Sequence, residues 1–286
     1  MPYVNMNKIL DAALSGGYAV GAFNIVDLAT ACAVVRAAEA KDAPVIIQTS
    51  VKTVKCYSFE SVAQMVRGLA EASGVPVALH LDHCKDVQFC KQCVDAGWSA
   101  VMLDGSASPF EKNIDMTKEV VDYAHDRDVT VEGELGAIVG VEDDIFVKEG
   151  EAHLADPDQA IEFVQNTGVD VFAPAIGTAH GIYKGEPKIA FDRLEQIAKD
   201  CQLPIAIHGG TGLADDVFDR CIALGGAKVN VSTQLKHTFR DSLESYFQEH
   251  PGDYEPVKPV GYMMEQTQEM IERFIEVFGS AGKAGE

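Results

Sequence analysis

Three histidines stand at the ends of short apolar runs, each beside glycine or acidic residues. His83 ends VALHLDH, His180 lies in GTAHG, and His208 begins HGGTG. Imidazole nitrogens are common ligands of Zn²⁺, and catalytic zinc sites typically combine three protein ligands with an open position. Any one of these histidines alone is better explained as a capping or core residue. Three of them in equivalent places favour a metal site, which we expect to hold Zn²⁺.

A carboxylate directly precedes the first of these histidines. The side chain of Asp82 should point in a different direction from that of His83, because successive residues of a strand face opposite sides. Near a substrate carbonyl it could transfer a proton; the alternative is that it orients a histidine. Glu134 and the acidic run 142–144 lie on or after a later apolar run. Acidic runs of this kind most often form a solvated surface.

Two glycine- or hydroxyl-bearing turns follow the last two apolar runs. They are HGGTG (208–212) and NVST (230–233). Backbone N–H groups of such a turn, at the start of a helix, form a nest for an anion. A tight turn is the alternative for either one alone. Two adjacent turns indicate a phosphate site.

The elements that must position these residues alternate regularly. The eight apolar runs are 19–24, 45–50, 77–82, 100–105, 130–135, 171–176, 205–210 and 228–233. Amphipathic stretches between them predict helices at 27–41, 58–73, 109–127, 156–166, 188–200, 214–224 and 234–248. Strands that alternate with helices indicate a parallel sheet. Eight units and polar strand ends favour an α/β fold of the (β/α)₈ TIM-barrel class over an open doubly wound sheet.

No linker divides the chain, so we expect one barrel domain over residues 1–286. A C-terminal helical arm and tail are predicted over 262–286. The clearest helical pattern is at 266–278, and 279–286 is expected to be a loose tail.

Composition excludes several classes of function. The 286 residues carry 23 basic and 44 acidic side chains, a formal net charge of −21, which argues against nucleic acid and anionic membranes as partners. The start of the chain lacks the pattern of a secretory signal, and no apolar stretch is long enough to span a bilayer. Seven scattered cysteines are typical of reduced thiols rather than a disulfide framework, so a cytoplasmic location is expected.

Taken in order, the motifs resemble those of the class II, metal-dependent ketose-bisphosphate aldolases, of the fructose- and tagatose-bisphosphate type. The resemblance covers nearly the whole chain, from VGAFN (20–24) to FGSAGK (278–283). The motifs between are HLDH (80–83), VMLDGS (101–106), EGELG (132–136), GVEDD (140–144), AIGTAHGIYKGEPK (175–188), HGGTGL (208–213) and VNVST (229–233). It implies a lyase that reversibly cleaves a ketose 1-phosphate or ketose 1,6-bisphosphate to dihydroxyacetone phosphate and an aldehyde.

The resemblance also assigns roles to residues. It implies that His83, His180 and His208 hold one catalytic Zn²⁺, with Glu134 as ligand to a displaced or second ion. Asp82 matches the acid that exchanges a proton with the C4 hydroxyl, and Glu142 the loop acid that acts at C3. The substrate and phosphate contacts are expected from Asn24, Ser50, Gly181, Lys184, Gly209, Gly210, Thr211, Asn230, Val231, Ser232 and Thr233. A Na⁺ or K⁺ ion near the phosphate is a further expectation.

One departure leaves alternatives open. Gly261 stands where many relatives carry an arginine that meets the distal phosphate. The substrate is then a bisphosphate met by another cation, or a ketose 1-phosphate modified at C6, such as a deoxy sugar, a carboxylate or a sulfonate like sulfofructose 1-phosphate.

Two alternative hypotheses assign a function other than aldol cleavage. A non-catalytic accessory subunit of a tagatose-bisphosphate aldolase is disfavoured because all three histidines and Asp82 are present. A metal-dependent hydrolase barrel is disfavoured because the first strand, GAFN (21–24), lacks paired histidines. By analogy we expect a homodimer or homotetramer.

Overall fold

Each of the eight apolar runs contributes one strand to a closed parallel barrel. The computed structural model describes residues 2–142, 145–147, 153–181, 183, 185 and 187–286. The strands in these residues are β1 (Val20–Asn24), β2 (Val45–Ser50), β3 (Val77–Cys84), β4 (Ala100–Leu103), β5 (Thr130–Leu135), β6 (Val139–Glu142), β7 (Ile145–Val147), β8 (Val171–Pro174), β9 (Ala179–His180), β10 (Ile205–Ile207) and β11 (Gly226–Val231). Around the barrel the order is β1-β11-β10-β8-β5-β4-β3-β2. The predicted (β/α)₈ barrel is confirmed.

Helices connect the strands and cover the barrel. They are α1 (Met6–Gly16), α2 (Leu28–Ala40), α3 (Val51–Tyr57), α4 (Phe59–Ala72), α5 (Val87–Ala96), α6 (Phe110–His125), α7 (Pro157–Thr167), α8 (Phe191–Cys201), α9 (Asp215–Ala223), α10 (Thr233–Glu249) and α11 (Val257–Val277). Side-chain caps begin several of them. Asp156 accepts hydrogen bonds from the amides of Asp158 and Gln159, with Pro157 at the first helical position, as the sequence predicts. None of the described helices combines the length and hydropathy needed to cross a membrane.

The lower interior of the barrel, at the amino ends of its strands, is apolar, and α1 covers this end. Small side chains such as Ala22, Ala78 and Ala206 pack in one buried cluster with Met6 and Leu10 of α1. The sequence patterns above predict no helix over residues 6–16. Asn5 caps this helix by accepting from the amide of Asn7, and its apolar side chains exclude water from the lower end of the barrel.

A small second sheet lies outside the barrel. Strand β6 pairs antiparallel with β7 and parallel with β9, in the order β7-β6-β9. The segments after β5 and β8 therefore meet above the barrel strands from which they emerge. This sheet was absent from the prediction, because its strands are only two to four residues long and carry no clear period.

The C-terminal arm differs from the prediction in two respects. Helix α11 begins at Val257 rather than 262, because Pro259 lies in its first turn, where the missing N–H has no helical acceptor. The tail is not loose: Gly282 N donates to Lys41 O at 2.9 Å and Ala284 N to Asp42 O at 3.0 Å. These bonds hold the chain after α11 against the end of α2.

Candidate active site

Polar side chains occupy the inward positions near the carboxyl ends of the barrel strands. Along β3, Ala78 in the apolar interior is followed by His80 and Asp82, all with less than 3% of their surface exposed. The two-residue period of a strand places these three side chains on one face. The same change from apolar to polar occurs along β1, where Ala22 is followed by Asn24. The upper barrel therefore has a polar interior that opens toward the strand ends.

The three predicted histidines come together at this end. One ligand-capable atom from each of them lies within 4.8 Å of those of the other two. The ring centroid of His83 is 4.9 Å from that of His180 and 4.6 Å from that of His208, and Nε2 of His83 lies 2.8 Å from Nδ1 of His208. Three imidazoles gathered from three separate segments form the donor set that Zn²⁺ prefers. The residues present therefore fit a zinc ion.

The charges around these rings favour the same conclusion. Burial, together with the positive charge of His83, lowers the pKa of His180 and of His208 well below the usual value. Neutral imidazole is the form that donates to a metal. Burial also acts to lower the pKa of His83, but the carboxylates of Asp82, Asp104 and Glu134 outweigh it and raise the pKa well above its usual value.

Two carboxylates flank His83 on the side away from His208. Nδ1 of His83 lies 3.3 Å from Oδ2 of Asp104 and 3.6 Å from Oε2 of Glu134, and the three residues form a second group able to hold a metal. Burial and the neighbouring Asp104 raise the pKa of Glu134 well above its usual value. Glu134 is among the ligands predicted above, whereas Asp104 is not. The position of Asp104 in the sequence does indicate a site residue, since Asp104 directly follows β4 as the other polar residues follow their strands.

Amide side chains hold the carboxylate of Asp82. Asn24 Nδ2 donates to Oδ2 at 2.7 Å, and Asn230 Nδ2 donates to Oδ1 at 3.2 Å. Gln48 Nε2 in turn donates to Oδ1 of Asn24 at 2.8 Å. Burial tends to raise the pKa of Asp82, but the positive charges of His83, His208 and Lys228 and the hydrogen bond from Asn24 lower it below its usual value. Asp82 is therefore ionised and fixed in orientation beside the histidines.

His180 reaches the site from β9 of the outer sheet rather than from a barrel strand. Its backbone lies opposite Gly140 in β6. Gly140 has φ +118°, and a Cβ there would overlap the backbone of His180. The hydroxyl of Tyr183 accepts from Ala179 N at 2.9 Å and donates to Gly209 O at 2.8 Å. A glycine contact and a tyrosine bridge therefore fix the strand that carries this histidine.

The predicted phosphate residues gather at the neighbouring strand ends. Gly209 has φ +72°, a left-handed conformation, and Thr211 Oγ1 accepts from the amide of Gln234 in α10 at 3.1 Å. Ser232 begins α10, and its hydroxyl is buried without a hydrogen-bond partner among the described residues. An unsatisfied hydroxyl at a helix N-terminus is suited to an anion. Gly210, Asn230, Val231 and Thr233 lie between these positions or directly beside them.

The other predicted contacts are placed less directly. Gly181 follows β9 with φ +88°. Ser50 ends β2, but its Oγ accepts from Thr53 N at 3.2 Å and so caps α3. Glu142 ends β6, and its side chain lies outside the described residues, as does the whole of Lys184.

Comparisons with known proteins identify the family. Residues 4–283 match the family model "Fructose-bisphosphate aldolase class-II". A fructose-bisphosphate aldolase of Geobacillus stearothermophilus is 42% identical over 289 residues, covering 100% of both chains. The crystal structure of the YdjI aldolase from Escherichia coli K12 superposes with a TM-score of 0.88 at 32% identity, covering 99% of each chain. A putative fructose-1,6-biphosphate aldolase from Coccidioides immitis gives 0.89 at 28% identity, covering 98% of each.

The family match and the full-length relative agree with the motifs quoted from the sequence, and the predicted family is confirmed. The chain therefore belongs to the class II fructose-bisphosphate aldolase family, a family of aldehyde-lyases.

Proposed function

We propose that this protein catalyses the reversible aldol cleavage of a ketose 1-phosphate or ketose 1,6-bisphosphate, releasing dihydroxyacetone phosphate and an aldehyde. One observation carries the proposal: three clustered imidazoles, a carboxylate held by amide side chains, and the buried Ser232 hydroxyl, which has no partner among the described residues, lie at the same end of one barrel. Each part meets one need of this reaction, namely carbonyl polarisation, proton transfer and phosphate binding.

His83, His180 and His208 are the residues that would hold one Zn²⁺ per subunit. When bound, the ion supplies Lewis acidity that polarises the substrate carbonyl. Glu134 and Asp104 offer a carboxylate pair to a displaced or second ion next to His83.

Asp82 is the proposed base for cleavage. Its carboxylate removes the proton of the C4 hydroxyl as the C3–C4 bond breaks and the C4 carbonyl forms. The electron pair of the broken bond remains with the three-carbon fragment, which gains a proton at C3 to give dihydroxyacetone phosphate. A lowered pKa suits this step, because Asp82 must be ionised before it can accept a proton. Glu142 is proposed to supply the proton at C3.

The phosphate is proposed to lie at the N-terminus of α10. The proposed contacts to it are Gly181, Gly209, Gly210, Thr211, Asn230, Val231, Ser232 and Thr233. Backbone N–H groups and hydroxyls allow a chain of net charge −21 to bind an anion locally. Asn24, Ser50 and Lys184 are proposed as further substrate contacts, and Na⁺ or K⁺ as a companion ion.

The test is release of dihydroxyacetone phosphate from a panel of ketose 1-phosphates, each with and without EDTA. The panel contains fructose and tagatose 1,6-bisphosphates and analogues altered only at C6. Release that EDTA abolishes and Zn²⁺ restores is the expected result. Zinc-loaded protein that releases nothing from any member would contradict the proposal.

A cytoplasmic location and a homodimer or homotetramer complete the proposal. Seven free thiols support the first. Exposed apolar side chains near the start of α11, Tyr254 at 93% and Val257 at 73%, support the second. Sedimentation of the wild type beside a Tyr254→Ser, Val257→Ser variant tests whether these side chains are buried between subunits.

A further inference from the structure

A fully buried ion pair crosses the barrel beneath the histidine cluster. Nζ of Lys228 in β11 lies 2.9 Å from Oε2 of Glu132 in β5, and neither side chain has any exposed surface. Strands β11 and β5 are not neighbours, since β10 and β8 separate them in the barrel. The pair therefore joins two non-adjacent strands of the barrel through its interior.

Glu132 of this pair contacts the histidine cluster. Oε1 of Glu132 lies 2.7 Å from Nε2 of His208. An ionised carboxylate can only accept, so this contact requires a hydrogen on Nε2. Nδ1 is then left with its lone pair, and it is Nδ1 that lies 2.8 Å from His83. Glu132 thus fixes both the orientation of the His208 ring and the nitrogen available to a metal.

Lys228 of this pair is linked to Asp82 through Asn230. Nζ of Lys228 donates to Oδ1 of Asn230 at 2.6 Å. Because an ammonium group only donates, this contact sets which end of the Asn230 amide faces the lysine. Nδ2 is turned the other way and donates to Oδ1 of Asp82 at 3.2 Å. The lysine therefore orients one of the two amide groups that donate to the Asp82 carboxylate, the other being Asn24.

We propose that the Lys228–Glu132 ion pair is a positioning unit that orients the metal-binding imidazole of His208 and the proton-transfer carboxylate of Asp82 at the same time. The inference rests on the proposed function and adds two residues to it. Neither residue is expected to touch substrate. Glu132 acts through His208, and Lys228 acts through Asn230.

A role in stability alone makes a different prediction. Removing one member of a buried pair leaves an uncompensated charge, whereas replacing both with apolar side chains of similar size often preserves stability. The double variant Lys228→Met, Glu132→Leu separates the two roles. The same two substitutions at the surface pair Lys91–Glu119, whose Nζ and Oε1 are 2.8 Å apart, provide the matched control.

Four quantities are measured for each protein: the thermal unfolding midpoint, the zinc dissociation constant by chelator competition, and kcat and KM at saturating zinc. We expect the buried double variant to fold with a midpoint near that of the wild type and to bind zinc about 10- to 100-fold more weakly. Its kcat should fall about 100-fold while KM changes little. The surface variant should match the wild type in all four quantities.

A second variant, Lys228→Met with Glu132→Gln, keeps a neutral acceptor for Nε2 of His208. Its zinc affinity should stay near the wild-type value while kcat still falls, because Asn230 has lost its lysine. Unchanged kcat in this variant overturns the inference even if the first variant does not fold. Wild-type zinc affinity and kcat in a folded Met–Leu variant overturn it as well.

The zinc measurement also separates this inference from the proposed function. A wild type that binds zinc but cleaves no ketose 1-phosphate rejects the proposed function. Zinc affinity of the variants then still reports whether Glu132 orients His208.

Discussion

Nε2 of His83 and Nδ1 of His208 lie 2.8 Å apart, close enough to hold a single proton between them. Burial lowers the pKa of His208, while the surrounding carboxylates raise that of His83 despite its burial. In the metal-free protein the proton therefore belongs to His83, and a metal that binds at this point must displace it.

Zinc affinity should accordingly rise with pH. While the pH is below the raised pKa of His83, affinity should increase about tenfold per unit, because one proton leaves for each ion bound. The free energy of unfolding of the metal-free protein should show the opposite trend. Because the pKa of His83 is raised in the folded state, its protonation stabilises the fold fully below about pH 6.5, and this stabilisation is lost as pH rises through the raised pKa. Calorimetric titrations in buffers of different ionisation enthalpy measure the proton released. Zero release near neutral pH would contradict the assignment.

Asp82→Asn should retain zinc and lose most cleavage. Asparagine keeps the shape of the side chain but cannot accept the proton of the C4 hydroxyl, so kcat should fall about 10²- to 10⁴-fold. Metal content by elemental analysis and kcat are measured together, with the surface variant Asp95→Asn as control. Wild-type turnover in Asp82→Asn would exclude the proposed proton transfer.

His180→Ala should lose most of its metal, because two imidazoles remain of a set of three. The zinc content after dialysis against a weak chelator is the measurement. The exposed His250, changed to Ala, is the control and should keep its zinc. A full equivalent of zinc in His180→Ala would show that this histidine is not a ligand.

Gly140→Ala should impair the site without unfolding the barrel. The added Cβ would overlap the backbone of His180, and φ +118° disfavours any side chain. We expect weaker zinc binding and lower kcat with a nearly unchanged unfolding midpoint. Gly68→Ala in α4, where a Cβ meets nothing within 4 Å, is the control. Equal zinc affinity in Gly140→Ala and Gly68→Ala would refute the role of this contact.

Ser232→Ala should weaken substrate binding without a loss of stability. The buried hydroxyl has no partner in the described residues, and burial of an unsatisfied hydroxyl costs about 1–3 kcal/mol, so its removal should leave the unfolding free energy equal or higher. KM for a ketose 1-phosphate should rise about tenfold, as expected for loss of a hydrogen bond to a charged group. Ser242→Ala removes a hydroxyl bonded to Thr238 O and should show the reverse pattern. Unchanged KM in Ser232→Ala would remove this residue from the phosphate site.

The barrel could be predicted because its signal is local. Alternating apolar runs and helices fix the number of units, and the rule that parallel strand ends share one face brings His83 and His208 together. The site roles themselves, and the extent of the single domain, remain predictions.

Contacts across the interior could not be predicted in the same way. Lys228 begins an apolar run and looks like a strand boundary, and its partner Glu132 is 96 positions away in the chain and belongs to a strand that is not its neighbour. Only closure of the barrel makes them meet. His180 was assigned to a strand exit, whereas it lies in a two-residue strand of the outer sheet, too short to leave a periodic pattern.

The pairing of β6 with β9 has an evolutionary consequence. Among the residues that the structure describes, two pairs set its register, Val139 with Ala179 and Gly140 with His180. A slip of one position turns every side chain of a strand to its opposite face, so an insertion or deletion near β9 would present an alanine where the imidazole now stands. A descendant could then keep every histidine, acid and glycine of this site in its sequence and still be catalytically silent. Divergence of this enzyme can thus arise from the spacing of its residues as readily as from their replacement.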